Sequence, residues 1–104
     1  MDWKTPENKR LVEALLALKT ADEARRFLRD LMTESEIAEL GKRLTAAEML
    51  SKSVPYSTIV ERTGLSSTTV ARVSKWLTKG TGGYRVIIDR LHHHASPLRE
   101  RGLR

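Results

Sequence analysis

Between Glu61 and Asp89 the chain carries no carboxylate, and inside that stretch sits a compact set of hydroxyl, small and cationic side chains. On a helical wheel, Val70, Val73 and Leu77 share one side of a segment from about Ser67 to Leu77. Thr68, Ala71, Arg72 and Lys75 fall opposite, and Ser67 lies in the first turn. Such a face suits a groove walled by phosphates. Hydroxyls and backbone N–H groups meet phosphate or base edges, an alanine can meet a thymine methyl, and an arginine can pair with guanine. A carboxylate there would be repelled, and none is present. Tyr56 and Ser57 open the preceding helix and are placed near the phosphates. The plain alternative is a helical hairpin with a solvated polar face.

Two short helices must position this set. Residues 56–77 have helix-turn-helix spacing, with Gly64 in the turn, where a residue tolerant of positive φ is needed. Ile59, five residues before it, and Leu65, Val70 and Val73 after it clamp the helices at a steep angle, so that the second protrudes. Val60 stands where the close contact usually takes Ala, and Thr63 where an apolar residue is usual. Ser66 is placed to cap the second helix.

The rest of the chain reads as helices too. Thr5-Pro6 opens a first helix, with Leu11, Leu15 and Leu18 at helical spacing and Val12 and Leu16 beside them. Thr20-Ala21-Asp22-Glu23 and Thr33-Glu34-Ser35-Glu36 are capping boxes that open a second and a third. The second carries the stripe Ala24, Phe27, Leu28 and Leu31. The third runs to about Leu50 with Ile37, Leu40, Leu44 and Ala47 on one face. Ser51 to Pro55 breaks the pattern. Gly80-Thr81-Gly82-Gly83 reads as a flexible joint before a last helix from Tyr84 to about His93. That helix has Tyr84, Ile87, Ile88 and Leu91 on one stripe. Nothing alternates like a strand. The expectation is all-α, six helices, one domain over 5–94 and a basic disordered tail over 95–104. These stripes are broad for short helices, and the N-terminal ones could pack against a partner chain.

Charge and composition narrow the classes. The 104 residues carry net +6. Residues 1–32 hold +1, 33–65 hold −1 and 66–104 hold the remaining +6, which places the excess on one region rather than over the whole surface. There is no cysteine, so no disulfide framework, zinc-thiolate site or cysteine nucleophile. No apolar run approaches the ~18–20 residues of a membrane span. Met1-Asp2-Trp3-Lys4 lacks the basic-then-apolar order of a signal peptide, so a cytoplasmic protein is expected. His92-His93-His94 point about 100° apart and do not converge on one metal. No paired carboxylates, nucleophilic triad or phosphate loop stands out, so neither an enzyme nor a cofactor is expected. Trp3 and Trp76 are read as packing residues.

The run Leu31-Met32-Thr33-Glu34-Ser35-Glu36, then Leu40-Gly41-Lys42-Arg43-Leu44, resembles the start of the Trp repressor domain. Tyr56 through Val73 resembles its reading head. Gly80-Thr81-Gly82-Gly83-Tyr84 is similar to the YerC/YecD branch of Trp-repressor-like bacterial proteins. The resemblance covers about residues 10–92. It implies an intertwined, six-helix homodimer, with helices one to three and six in a shared core and four and five as the reading head of each subunit. It further implies repression at a palindromic operator on the bacterial nucleoid, with the heads about one DNA turn, ~34 Å, apart. Arg43 and Arg72 match the two arginines that hold the family's effector, free tryptophan, and Thr33 and Thr69 also match. The match at Arg43 carries a one-residue deletion near Ser51–Val54. Val73 stands where the family leaves room with Gly, and Trp76 where it has Ser. Both would fill the pocket, so L-tryptophan is not expected as corepressor. The expected partners are double-stranded DNA and a second copy of the chain. The competing reading is an adaptor module whose basic face docks an acidic protein.

Overall fold

The computed structural model describes residues 1–100, with side chains up to His93. Among them there are six helices and no strand: α1 (Pro6–Ala17), α2 (Ala21–Leu31), α3 (Glu34–Ser51), α4 (Tyr56–Thr63), α5 (Ser67–Lys79) and α6 (Gly83–Glu100). Two compact units divide the chain, residues 1–37 and 38–104. No described helix is long and apolar enough to cross a membrane.

The first unit is built from local signals. Thr5 caps α1 by accepting the Asn8 N–H, and Pro6 occupies the first helical position. Thr20 caps α2 in the same way through the Glu23 N–H. At α3 the capping box closes in both directions. The Glu36 N–H donates to Thr33 Oγ1 at 3.2 Å, and the Thr33 N–H donates to Glu36 Oε1 at 2.9 Å. That hydrogen bond from the Thr33 backbone, helped by the one from its hydroxyl, holds the Glu36 carboxyl below its ordinary range. Neither α1 nor α2 buries a residue. The apolar stripes form as expected but stay open: Leu11, Leu15, Leu16 and Leu31 are all exposed, and so is Trp3.

The second unit holds the core. Ala46 and Ala47 of α3, Ile59 of α4, Leu65 of the turn, Val70, Val73 and Leu77 of α5, and Ile88 of α6 are buried together, with Leu44, Met49, Leu50, Val54, Val60 and Tyr84 packed around them. Ile59, Val70 and Val73 are the largest side chains fully shut off from water. Each such burial contributes about 1.5–3 kcal/mol. Helix α5 is the centre of this unit and packs on both α4 and α6.

Two boundaries differ from expectation. Helix α5 runs on through Lys79 instead of stopping near Leu77, and α6 continues past His93 to Glu100. The expected disordered tail therefore overlaps the helix up to Glu100, and its residues 101–104 lie outside the described residues. The side chains of His94 and Arg99 lie outside them as well.

The joint between α5 and α6 is less free than its glycines suggest. The Gly80 N–H bonds back to the Trp76 carbonyl at 2.9 Å and ends α5. A Cβ at Gly80 would run into that same carbonyl oxygen, with the carbonyl carbon only 3.1 Å away. The obstacle is helix backbone and cannot swing aside. Gly80→Ala is therefore expected to lower stability by about 1–3 kcal/mol in urea unfolding, through a forced shift of the α5 terminus. An unchanged midpoint would mean that the joint relaxes freely.

Candidate nucleic-acid interface

The helix-turn-helix is assembled around one backbone reversal. Gly64 ends α4 at φ +76°, in the left-handed region, and its N–H caps the helix on the Val60 carbonyl. Lys42 Nζ, 4.0 Å from where a Gly64 Cβ would stand, is the nearest neighbour, so conformation rather than space selects glycine here. Ile59, Leu65, Val70 and Val73 are all buried, so the four positions singled out by spacing form the clamp.

The two positions that depart from the usual pattern have local explanations. Thr63 is buried, with 8% of its surface exposed. Its hydroxyl donates to the Ile59 carbonyl at 2.7 Å and accepts the Leu65 N–H at 3.2 Å. A polar side chain is tolerated because both of its roles are filled, and it satisfies a buried N–H that the turn would otherwise leave unpaired. Val60 sits at the rim of the core and is only partly buried.

Past the turn, Ser66 caps α5. Its oxygen accepts the Thr69 N–H at 3.1 Å and its hydroxyl donates to Thr69 Oγ1 at 3.0 Å. The first turn of α5 holds no acidic residue. Ser67, Thr68, Ala71, Arg72 and Lys75 are exposed, on the side opposite buried Val70, Val73 and Leu77. Tyr56 and Ser57, in the first turn of α4, are exposed as well.

Three of the four residues matched to an effector pocket make contacts within the chain. In the first unit Thr33 caps α3. In the second, the Thr69 hydroxyl is bound to Ser66. Arg43 Nε donates to Glu39 Oε2 at 3.2 Å, and its guanidinium carbon lies 5.8 Å from the centroid of the Trp76 ring. Arg72 is exposed. Val73 is fully buried in the core, while Trp76 keeps 43% of its surface exposed. Trp76 is thus a partly covered ring beneath a cation, and not a core residue.

The basic excess also divides. Arg85 Nε donates to the Leu77 carbonyl at 3.0 Å, so this cation ties α6 to the last turn of α5. Nothing in the sequence pattern marked that role, because the partner is a backbone oxygen eight residues away. His92 and His93 turn toward different carboxylates, Glu48 at 3.9 Å and Asp89 at 3.5 Å. Among the described residues no three His, Cys, Asp or Glu groups gather to hold a metal.

Comparison with known proteins gives a consistent answer. The family model for the Trp repressor protein matches residues 7–92. The uncharacterized protein YerC of Bacillus subtilis (strain 168) is 38% identical over 81 residues, which span 78% of each chain. A TrpR-like protein from Eubacterium eligens superposes with a TM-score of 0.82 at 39% identity, over 86% of this chain and 93% of that one. A Trp-repressor-type protein from Staphylococcus aureus also gives 0.82, at 33% identity, over 88% and 95%. With a match to nearly the whole described length and the same six-helix architecture, this chain belongs to the Trp repressor family.

Proposed function

We propose that this chain is a sequence-specific transcriptional regulator, a repressor, that docks α5 in the major groove of double-stranded DNA as a homodimer. Its family is one of DNA-binding regulators rather than enzymes. The observation that carries the reading is the exposed, acid-free face of Ser67, Thr68, Ala71, Arg72 and Lys75 on a helix held out by a fully buried clamp. In this reading Arg72 and Lys75 neutralise phosphates or read base edges, and Tyr56 and Ser57 approach the backbone from the neighbouring helix. The protein acts in the bacterial cytoplasm, on the nucleoid.

A second copy of the chain is supported by what the single chain leaves open. Leu11, Leu15, Leu16, Leu40, Ile87 and Leu91 are exposed, and α1 and α2 bury nothing. Amphipathic helices exist because their apolar stripe is covered, and a chain of this length gains stability by sharing a core. A two-fold dimer would also present two reading heads to a palindromic site.

Tryptophan is not needed in this reading. This is supported by Arg43 and Thr69, which already contact protein groups, Glu39 with Trp76 and Ser66, and by Val73 and Trp76, which stand where the family has the smaller Gly and Ser.

Four measurements test these points. Binding to random duplex DNA should weaken steeply with salt, with a log–log slope of about −0.9 per phosphate neutralised. Arg72→Ala should cost about 1–3 kcal/mol on a selected site. No binding at low salt would overturn the reading and leave the basic face to an acidic protein. Sedimentation at micromolar concentration should give twice the 11.8 kDa chain mass, and a monomeric mass would contradict the dimer. Calorimetry with L-tryptophan should show no heat of binding, and micromolar affinity would reverse the conclusion on the corepressor.

A further inference from the structure

We infer that Arg43 is a positioning residue for the recognition helix: it acts on DNA binding through the indole of Trp76, without touching DNA itself. The inference rests on the DNA-binding reading above and names a part of the machinery outside the groove-facing set.

The geometry has three parts. First, the Arg43 guanidinium carbon stands 5.8 Å from the Trp76 ring centroid, within the range in which a cation is drawn to the face of an indole. Second, the cation is oriented. Glu39, one turn earlier on α3, accepts from Arg43 Nε at 3.2 Å and fixes the direction in which the planar group lies. Third, the ring is otherwise weakly supported. With Leu44, Gly80, Thr81, Gly83, Tyr84 and Ile87 it borders an open hollow of about 550 Å³ with almost wholly apolar walls. An indole beside such a space can swing into it unless something holds the ring from another side.

The place of Trp76 on α5 makes this consequential. It directly follows Lys75, and its carbonyl accepts the N–H of Gly80, where α5 ends. Helix α5 is braced by α4 near its start and by α6 through Leu77 and Ile88. On the α3 side Ala46 and Ala47 are buried and Leu44, Met49 and Leu50 pack around the core, while Arg43 reaches from α3 to the face of Trp76 in the C-terminal half of α5. The guanidinium is felt beyond Trp76 as well. Burial pushes the Tyr84 phenol up from its ordinary range, and the Arg43 charge works in the opposite direction. Groove-reading side chains must be held to within about 10–20° of their working orientation, so a recognition helix that rocks at its far end loses its selected site before it loses non-specific attraction.

A double-mutant cycle tests this on the full chain, using the tightest duplex recovered from a random library and a random duplex as reference. Arg43→Ala and Trp76→Ala should each weaken the selected duplex about two- to tenfold. The double variant should bind no worse than Trp76→Ala alone, because the two residues form one interaction. Trp76→Phe, which keeps an aromatic face and loses the indole N–H, should recover most of the affinity. The salt slope of Arg43→Ala should match wild type. A slope smaller by about one would make Arg43 a phosphate contact and overturn the inference. Additive losses, or unchanged affinity in Arg43→Ala, would overturn it too. A second measurement needs no DNA. In a Trp3→Phe background, where Trp76 is the sole indole, Arg43→Ala should raise acrylamide quenching and shift the emission. An unchanged indole signal would sink the inference, whereas failure of wild type to bind DNA, with that signal altered, would count only against the functional reading.

Discussion

The steep crossing of α4 and α5 is the constraint on which the rest of the structure depends. It is closed by Ile59, Leu65, Val70 and Val73, all buried, and permitted by the left-handed backbone at Gly64. Thr63 completes it by satisfying the Leu65 N–H inside the turn. Because the clamp uses one side of α5 completely, the opposite side must face water. That side carries Thr68, Ala71, Arg72 and Lys75. Core packing therefore selects the face that is offered to a partner, and the lack of carboxylates makes that face compatible with phosphate.

Helix α5 is central because each of its sides has a task. Its start is capped by Ser66 and turned by Gly64, and its end is stopped at Gly80 against the Trp76 carbonyl. Arg85 of α6 reaches back to the Leu77 carbonyl near that end. The cations of the last third of the chain are accordingly not one uniform patch. Arg72 and Lys75 are exposed on the outward face, whereas Arg85 holds α6 to the end of α5. Net charge alone does not separate these roles, since a hydrogen bond to a backbone carbonyl leaves the formal charge untouched.

The first unit presents the opposite situation. Its helices are well started, by Thr5, Thr20 and Thr33, yet their apolar stripes remain uncovered. Caps and periodicity decide where a helix begins and which way its stripe faces. They do not supply the surface that covers the stripe. The proposed homodimer would cover those stripes and make the modest length of the chain half of a larger core.

The sequence by itself determined the parts whose causes lie within a few residues. The three capped helix starts, the Gly64 turn, the buried clamp and the exposed set on α5 follow from caps, positive φ and a 3.6-residue period, and the structure has them where those signals lie. Other local features left no mark: Ser53 takes a left-handed φ of 62° where no glycine announces it. Tertiary structure alone decided the contacts between distant residues. These are Arg43 over Trp76, Arg85 on the Leu77 carbonyl, and His92 toward Glu48, whereas His93 meets Asp89 one turn away on its own helix. It also showed Gly80 to be a steric necessity where a flexible joint was expected. The physical reason is range. A cap or a turn is an energy between neighbours along the chain, but a cation finds its aromatic ring or its carbonyl only after the helices have been packed.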